Sequence, residues 1–204
     1  ELIEIPVYTT MPGKSSFDER HPLALGSGSS STSLQARRWL QESDVLFAVG
    51  SSMTRTGYGQ PIPDGKVIIH NVESIEDINK DFSVDVGLPG DAKLTLQAMI
   101  EEVKAQAGEN GRKGKTEVAA EVKGVRDGWI AEWTALLNSD DVPINTYRVI
   151  GEIERNLDKE NSIVTHDAGA PRDTMMPFYP GTTPHSYIGW GKTTHLGYGI
   201  PLMI

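Results

Sequence analysis

Val45–Val49 (VLFAV) is a short apolar run that ends at Gly50, and such a run is typical of a strand buried on both faces of a parallel sheet. Three similar runs lie at Ile5–Thr9 (IPVYT), Lys66–Val72 (KVIIHNV) and Phe82–Val86 (FSVDV). Parallel strands need crossover connections, so the segments between these runs decide the fold.

Two segments of the same region have apolar residues at helical spacing. Ser33–Glu42 precedes the central run, and Leu94–Gln106 follows the last one, with its start at Asp91 or Lys93. This alternation predicts an α/β domain over residues 1–107, with a dinucleotide-binding-like parallel sheet of about five or six strands.

The rest of the chain predicts a linker and a partial second α/β domain. Gly108–Lys115 is rich in glycine and basic residues and has no apolar residue, which predicts a solvated linker over 108–124, with residues 108–122 extended or poorly ordered. Residues 125–204 are predicted to hold helices at Val125–Leu137 and Thr146–Leu157, strands at Ser162–Thr165 and Ser186–Trp190, and a new helix from Gly197. The apolar segment Tyr198–Ile204 has no helix-ending signal, so we expect a fragment with a truncated second domain.

The composition limits the classes of function. The 19 Lys and Arg residues against 28 Asp and Glu give a net charge of −9, which argues against a nucleic acid or an acidic membrane as partner. The absence of cysteine excludes disulfides, thiolate metal sites and a cysteine nucleophile. No apolar run reaches the ~18 residues of a membrane helix, and no signal-peptide pattern opens the sequence. We therefore expect a cytoplasmic protein.

Two segments of the second part are candidate ligand sites. Asp167 and Gly169 follow the predicted strand Ser162–Thr165, and parallel strands deliver ligand sites at their carboxyl ends; an ordinary turn is the alternative. In Gly189–Pro201, four glycines precede a predicted helix and suit backbone groups packed against a ligand, or else form a loop without one. This loop is not a Walker loop, because Ser186 stands where the first glycine is needed.

No catalytic residue and no metal ligand is assigned from the residues alone. His166, His185 and His195 lie in the C-terminal part without HxH or HExxH spacing. Ser51 lacks the GxSxG context of a serine nucleophile.

A series of short motifs extends over nearly the whole chain. They are Ile5–Thr10, Gly13-Lys14, His21–Gly26, Glu42–Gly50, Lys66–Val72, Glu76–Lys80, Gly90–Lys93, Asn145–Ile150, Asp167–Gly169 and Leu196–Pro201. In this order and spacing they resemble the thiamine-diphosphate-dependent enzymes of the acetolactate synthase and pyruvate oxidase type.

The resemblance implies a central domain followed by the beginning of the diphosphate-binding domain. It places Asp167 and Gly169 near the cofactor diphosphate and Gly197 in the same cofactor site. It places Thr194 and Leu196 at the aminopyrimidine, with Leu196 as the apolar prop of the bent cofactor. The implied cofactor is thiamine diphosphate with Mg²⁺, and the implied substrate is a 2-keto acid at which a C–C bond forms or breaks. The implied parent enzyme is a homodimer or homotetramer.

The chain departs from the family pattern at several positions. Ala170-Pro171 replaces a Gln-His pair, and His70–Glu73 replaces the acidic pair that is common where flavin binds, which argues against tightly held FAD. The Gly-Asp-Gly motif of the Mg²⁺ site does not occur in the sequence. We therefore expect the isolated chain to hold thiamine diphosphate too weakly to survive purification and not to consume pyruvate.

Two other functions stay open from the sequence. The central region also resembles the sheet of the sirtuin and deoxyhypusine synthase type, which implies a dinucleotide-binding module without thiamine chemistry. The helix carrying Trp129 and Trp133 suits a non-catalytic scaffold that dimerises through it.

Overall fold

The computed structural model describes residues 1–189 and 195–204. Helices and strands alternate in it, and all four ladders between named strands are parallel, so the predicted α/β class is confirmed. The elements are β1 (Val7–Thr10), β2 (Ala24–Gly28), α1 (Leu34–Glu42), β3 (Val45–Val49), β4 (Val67–Val72), β5 (Val86–Pro89), α2 (Ala92–Ala107), α3 (Val118–Leu137), α4 (Thr146–Asn156), β6 (Val164–Thr165), α5 (Ala170–Phe178) and β7 (Tyr187–Ile188), with 3-10 turns at Met11–Gly13, Ile75–Asp77 and Pro201–Met203.

The chain divides into two compact units, each assembled from segments that are distant in the sequence. The first unit comprises Glu1–Ile5, Trp39–Gly57 and Pro61–Glu117. The second unit comprises Pro6–Arg38, Tyr58–Gln60 and Val118–Ile204. The division into 1–107, 108–124 and 125–204 stays a prediction.

The first unit contains the three-stranded parallel sheet β3–β4–β5 and helix α2. Val45 pairs with Val67 and Ile69 pairs with Val86, so β4 is the central strand. Helix α2 begins after Asp91, whose carboxylate accepts a hydrogen bond from Leu94 N at 2.8 Å. An acidic N-cap satisfies a free N–H group of the first turn, which is why the helix starts there.

The glycine-rich segment after α2 is hydrogen-bonded to the first residues of the chain. Arg112 N donates to the Leu2 carbonyl at 2.7 Å, and the Glu4 carboxylate accepts from Gly114 N at 2.6 Å and from the Thr116 hydroxyl. A Cβ on Gly111 would lie 2.4 Å from the Leu2 carbonyl oxygen, so this contact requires glycine. Helix α3 begins at Val118, so the prediction of an extended or poorly ordered segment is wrong from that residue on.

The second unit packs helices α3, α4 and α5 with the parallel pairs β1–β2 and β6–β7. Its hydrophobic core consists of the buried side chains of Met11, Ile150, Met175, Met176, Tyr179 and Tyr187. Lys14 and Glu19 form a buried ion pair beside it, 2.7 Å from nitrogen to oxygen, and Ser27 donates to the same Glu19 oxygen at 2.6 Å.

Four features of the fold differ from the sequence prediction. The strands within residues 1–107, all of which are described, form two sheets instead of one of about five or six strands. The segment Gly26–Ser33, predicted as a loop, contributes Gly26–Gly28 to β2. Helix α5 was not predicted at all, and the final segment contains only a 3-10 turn where a helix was expected.

Candidate functional site

The predicted site at the end of β6 rests on the two-residue pairing of β6 with β7. Val164 pairs with Tyr187 and Thr165 with Ile188. Ser15 extends this pair on the side of β7, since its hydroxyl accepts from Tyr187 N at 3.3 Å and lies 3.5 Å from the Tyr187 carbonyl as donor. The Ser15 side chain thereby supplies to β7 the hydrogen bonds that a neighbouring strand would supply.

His166 is the first residue after β6, and it points into the protein. It is buried beside Tyr187, with 5.6 Å between ring centroids, and its Nδ1 donates to the Asp167 carbonyl at 2.9 Å. Burial disfavours the charged imidazolium and lowers the pKa of His166. The buried His166 side chain therefore stabilises the backbone of the site by packing against Tyr187 and by its hydrogen bond to the Asp167 carbonyl.

Asp167 is directed to the opposite side, and both of its carboxylate oxygens bind backbone N–H groups. Oδ1 accepts from Ala168 N at 2.7 Å and from Gly197 N at 2.9 Å, and Oδ2 accepts from Gly199 N at 3.3 Å. The hydrogen bonds from Ala168 and Gly197 are the main reason why the pKa of Asp167 lies below its usual range. The structure thus brings together Asp167 and Gly197, two of the predicted site residues.

Gly169 forms the N-cap of helix α5. Its φ of 78° lies in the left-handed region that favours glycine, and no atom lies within 4 Å of the position of an added Cβ. The N–H groups of a first helical turn have no intrahelical partner, and a glycine N-cap has no side chain to satisfy them. Pro171 has no N–H group, and Asp173 N donates to the Gly169 carbonyl at 3.1 Å, so the first turn of α5 has two backbone donors without an intrahelical partner, at Ala170 and Arg172.

Leu196 and Gly197 lie in the turn that Asp167 contacts. Gly197 has a φ of 81°, and Leu196 is 81% exposed, so in this chain its side chain is not packed against apolar neighbours. The predicted role of Leu196 as an apolar prop stays a prediction. Thr194, the remaining predicted site residue, lies outside the described residues.

Sequence reasoning missed the helix start that follows Gly169. The signal was present, because a glycine followed by Pro171 in the first turn is a pattern of helix N-termini. Pro177 near the other end of the segment hid it, since proline is normally read as a helix breaker.

The site fits a phosphate group better than it fits a metal ion. Backbone N–H groups at a helix start are suitable donors for phosphate oxygens, so the start of α5 fits the diphosphate of thiamine diphosphate. Within residues 1–189 and 195–204, no group of three or more His, Asp or Glu side chains is arranged to hold a metal ion.

Comparison with known proteins defines the class. Residues 1–99 match the family model of the thiamine pyrophosphate enzyme central domain. This match confirms the resemblance to thiamine-diphosphate-dependent enzymes that the motifs predicted.

Three relatives indicate which type of enzyme within this class the chain is similar to. The chain is 30% identical, over its whole length and 35% of the relative, to a probable acetolactate synthase large subunit of Methanococcus aeolicus. It is 25% identical to the large subunit of acetolactate synthase isozyme 3 of Escherichia coli (strain K12), over 98% of this chain and 34% of the relative. A probable sulfoacetaldehyde acetyltransferase of Rhizobium meliloti is also 25% identical, over 100% of this chain and 37% of its own length. The chain is similar to enzymes of the acetolactate synthase type, and it spans about a third of the length of these relatives.

These matches give no support to the sirtuin-like alternative. In the part of the chain that the structure describes, no helix has both the length and the apolar character needed to cross a membrane.

Proposed function

We propose that this chain belongs to an enzyme that uses thiamine diphosphate to form or break the C–C bond beside the keto group of a 2-keto acid. This makes the parent protein a transferase or lyase. The observation that carries the proposal is the start of α5 at Gly169, which presents backbone N–H groups at the carboxyl end of β6. This is the place where parallel α/β folds bind ligands.

In the proposed function, the residues of this chain bind the cofactor and orient it. The first-turn N–H groups of α5 bind the phosphate oxygens, and Gly169 leaves the space that the phosphate occupies. Leu196 supplies apolar contact to the bent cofactor, which would cover a side chain that is otherwise exposed. The chemistry that thiamine diphosphate supplies when bound is an electron sink beside the substrate's keto carbon.

Three finer points are part of the proposal. Mg²⁺ accompanies the diphosphate in the enzymes that this chain resembles, and the described residues contain no group of three or more His, Asp or Glu side chains placed to hold it. A homodimer or homotetramer is expected and is measured by light scattering of the purified protein. The chain has a net charge of −9, so a cation such as Mg²⁺ is needed to offset the charge of the diphosphate.

The proposal is tested by titrating the chain with thiamine diphosphate and Mg²⁺ in a calorimeter, because weak binding is expected. Gly169→Ala should weaken binding by about tenfold or more, since the methyl group enters the space next to the donors and each 1.4 kcal/mol is tenfold. Gly65→Ala is the matched control, because Gly65 has a φ of 84° and the same open surroundings but lies in the first unit. Equal affinities of the wild type and Gly169→Ala would contradict the proposed site.

A further inference from the structure

Asp167 is poorly suited to contact a diphosphate directly. A carboxylate and a phosphate carry the same charge, and both oxygens of Asp167 are already used by backbone donors, namely Ala168 N, Gly197 N and Gly199 N. Replacing these hydrogen bonds by contact with another anion would cost free energy, so direct contact is the less favourable role.

The contacts of Asp167 instead join two segments that are far apart in the sequence. Gly197 lies 30 residues and Gly199 lies 32 residues after Asp167, and the two glycines donate to different oxygens of the one carboxylate. Charge-assisted hydrogen bonds of this kind are stronger than neutral ones. The carboxylate therefore determines the position of the turn Gly197–Gly199 relative to the end of β6.

The glycines of this turn are shaped to the carboxylate. A Cβ on Gly199 would lie 3.3 Å from Asp167 N, which is tighter than most Cβ contacts, and Gly197 has a φ of 81°. The close approach to Asp167 favours glycine at position 199, and the left-handed φ favours it at position 197. Leu196 precedes this turn directly, so the position of its backbone is set by the same contact.

We infer that Asp167 is a positioning residue: it holds the turn Gly197–Gly199 against the end of β6, so that Leu196 is placed for the cofactor without Asp167 touching the cofactor itself. This inference rests on the proposed function for the cofactor contact of Leu196, but the clamp between Asp167 and the turn is independent of it. An ordered turn lowers the entropy lost when a ligand binds.

The clamp is tested by amide hydrogen exchange, measured by NMR on the whole chain. Asp167→Asn keeps the size of the side chain but removes its charge and turns one acceptor into a donor, so the Gly197 and Gly199 amides should exchange about tenfold faster. Asp158→Asn is the control, because Asp158 also accepts backbone N–H groups in a local turn of the second unit, at Glu160 and Asn161. Unchanged exchange at Gly197 and Gly199 in Asp167→Asn would overturn the clamp.

The positioning role is tested by the affinity for thiamine diphosphate with Mg²⁺, a readout that a purely structural residue would not change. Asp167→Asn should weaken binding by about fivefold because the turn loses order. Its melting temperature should fall no further than that of Asp158→Asn. Faster amide exchange with unchanged affinity would overturn the positioning role. If the wild type binds no thiamine diphosphate while its Gly197 and Gly199 amides stay protected, the proposed function and the cofactor role of Asp167 both fail, and the clamp alone remains.

Discussion

The carboxyl ends of β4 and β6 occupy equivalent places in parallel sheets and both carry a buried histidine, yet the polar residue that follows each histidine is used differently. At the end of β4, His70 and Asn71 are fully buried. Asn71 Nδ2 donates to the carbonyls of Leu88 at 2.8 Å and Gly90 at 3.1 Å, and His70 Nε2 lies 2.7 Å from the Ser51 carbonyl. At the end of β6, Asp167 faces outwards and binds the backbone of a distant turn.

The difference shows that the carboxyl end of a parallel strand is a location for a site and not a site by itself. At β4 the polar groups face inwards and tie the strand to β5 and α2, so they are used for stability. At β6 the donors at the start of α5 remain directed outwards. The orientation of the side chains distinguishes the two roles.

The largest effect is expected from Asn71→Ala. This change removes the buried amide that donates to the carbonyls of Leu88 and Gly90, so the first unit should lose about 2 kcal/mol of unfolding free energy. Urea denaturation followed by circular dichroism measures it, with the exposed Asn110→Ala as control. A loss as small as that of Asn110→Ala would mean that the end of β4 is not used for stability.

A smaller effect is expected at Asp167, and it depends on pH. The folded pKa of Asp167 lies below its unfolded value because of the backbone N–H donors, so its contribution to stability is present above about pH 4 and is lost as the pH falls through the folded pKa. The difference in stability between the wild type and Asp167→Asn should therefore be largest at neutral pH and should disappear at acidic pH. Melting temperatures from pH 7 to pH 2 test this, and a gap that persists at the lowest pH would argue against it.

Leu196→Ala should change the stability of the chain by no more than about 0.5 kcal/mol, because the side chain is 81% exposed. The same change at a fully buried leucine would cost about 2–5 kcal/mol. Thermal unfolding of the variant separates these two cases. A loss above 2 kcal/mol would show that Leu196 is packed in solution.

The smallest effect is expected from flavin. His70 and Asn71 are buried and already hydrogen-bonded, so the end of β4 has no polar side chain directed at a ligand from these two positions. Added FAD should leave the melting temperature unchanged. A purified protein with a stoichiometric absorbance band of oxidised flavin would refute this.

The sequence predicts most accurately the helices and strands whose local residue pattern is enough to determine them. The apolar run Val45–Val49 is β3 to the residue, and the helix predicted at Thr146–Leu157 is observed at Thr146–Asn156. Both have the periodicity of their element, so local pattern and tertiary structure agree.

The elements that were missed depend on contacts that the local pattern does not contain. Strand β2 has the sequence ALGSG, which is typical of a loop, but a Cβ on Gly28 would lie 2.3 Å from the Tyr8 hydroxyl, so pairing with β1 requires glycine there. In the same way, the residue types at Asp167 and Gly197 indicated a ligand site, but their direct contact depends on the tertiary fold.

The second unit has a consequence for synthesis on the ribosome. Ser15 bonds Tyr187 across 172 residues, and Pro6–Arg38 packs in the same unit as Val118–Ile204. At about 5–20 residues per second, residues 6–38 leave the ribosome roughly 10–30 s before their partners are translated. During this interval β1 and β2 lack α5 and the core around Met176, so the nascent chain exposes apolar surface that chaperones bind. Slow translation of residues 39–117 would lengthen this exposure and lower the yield of folded protein.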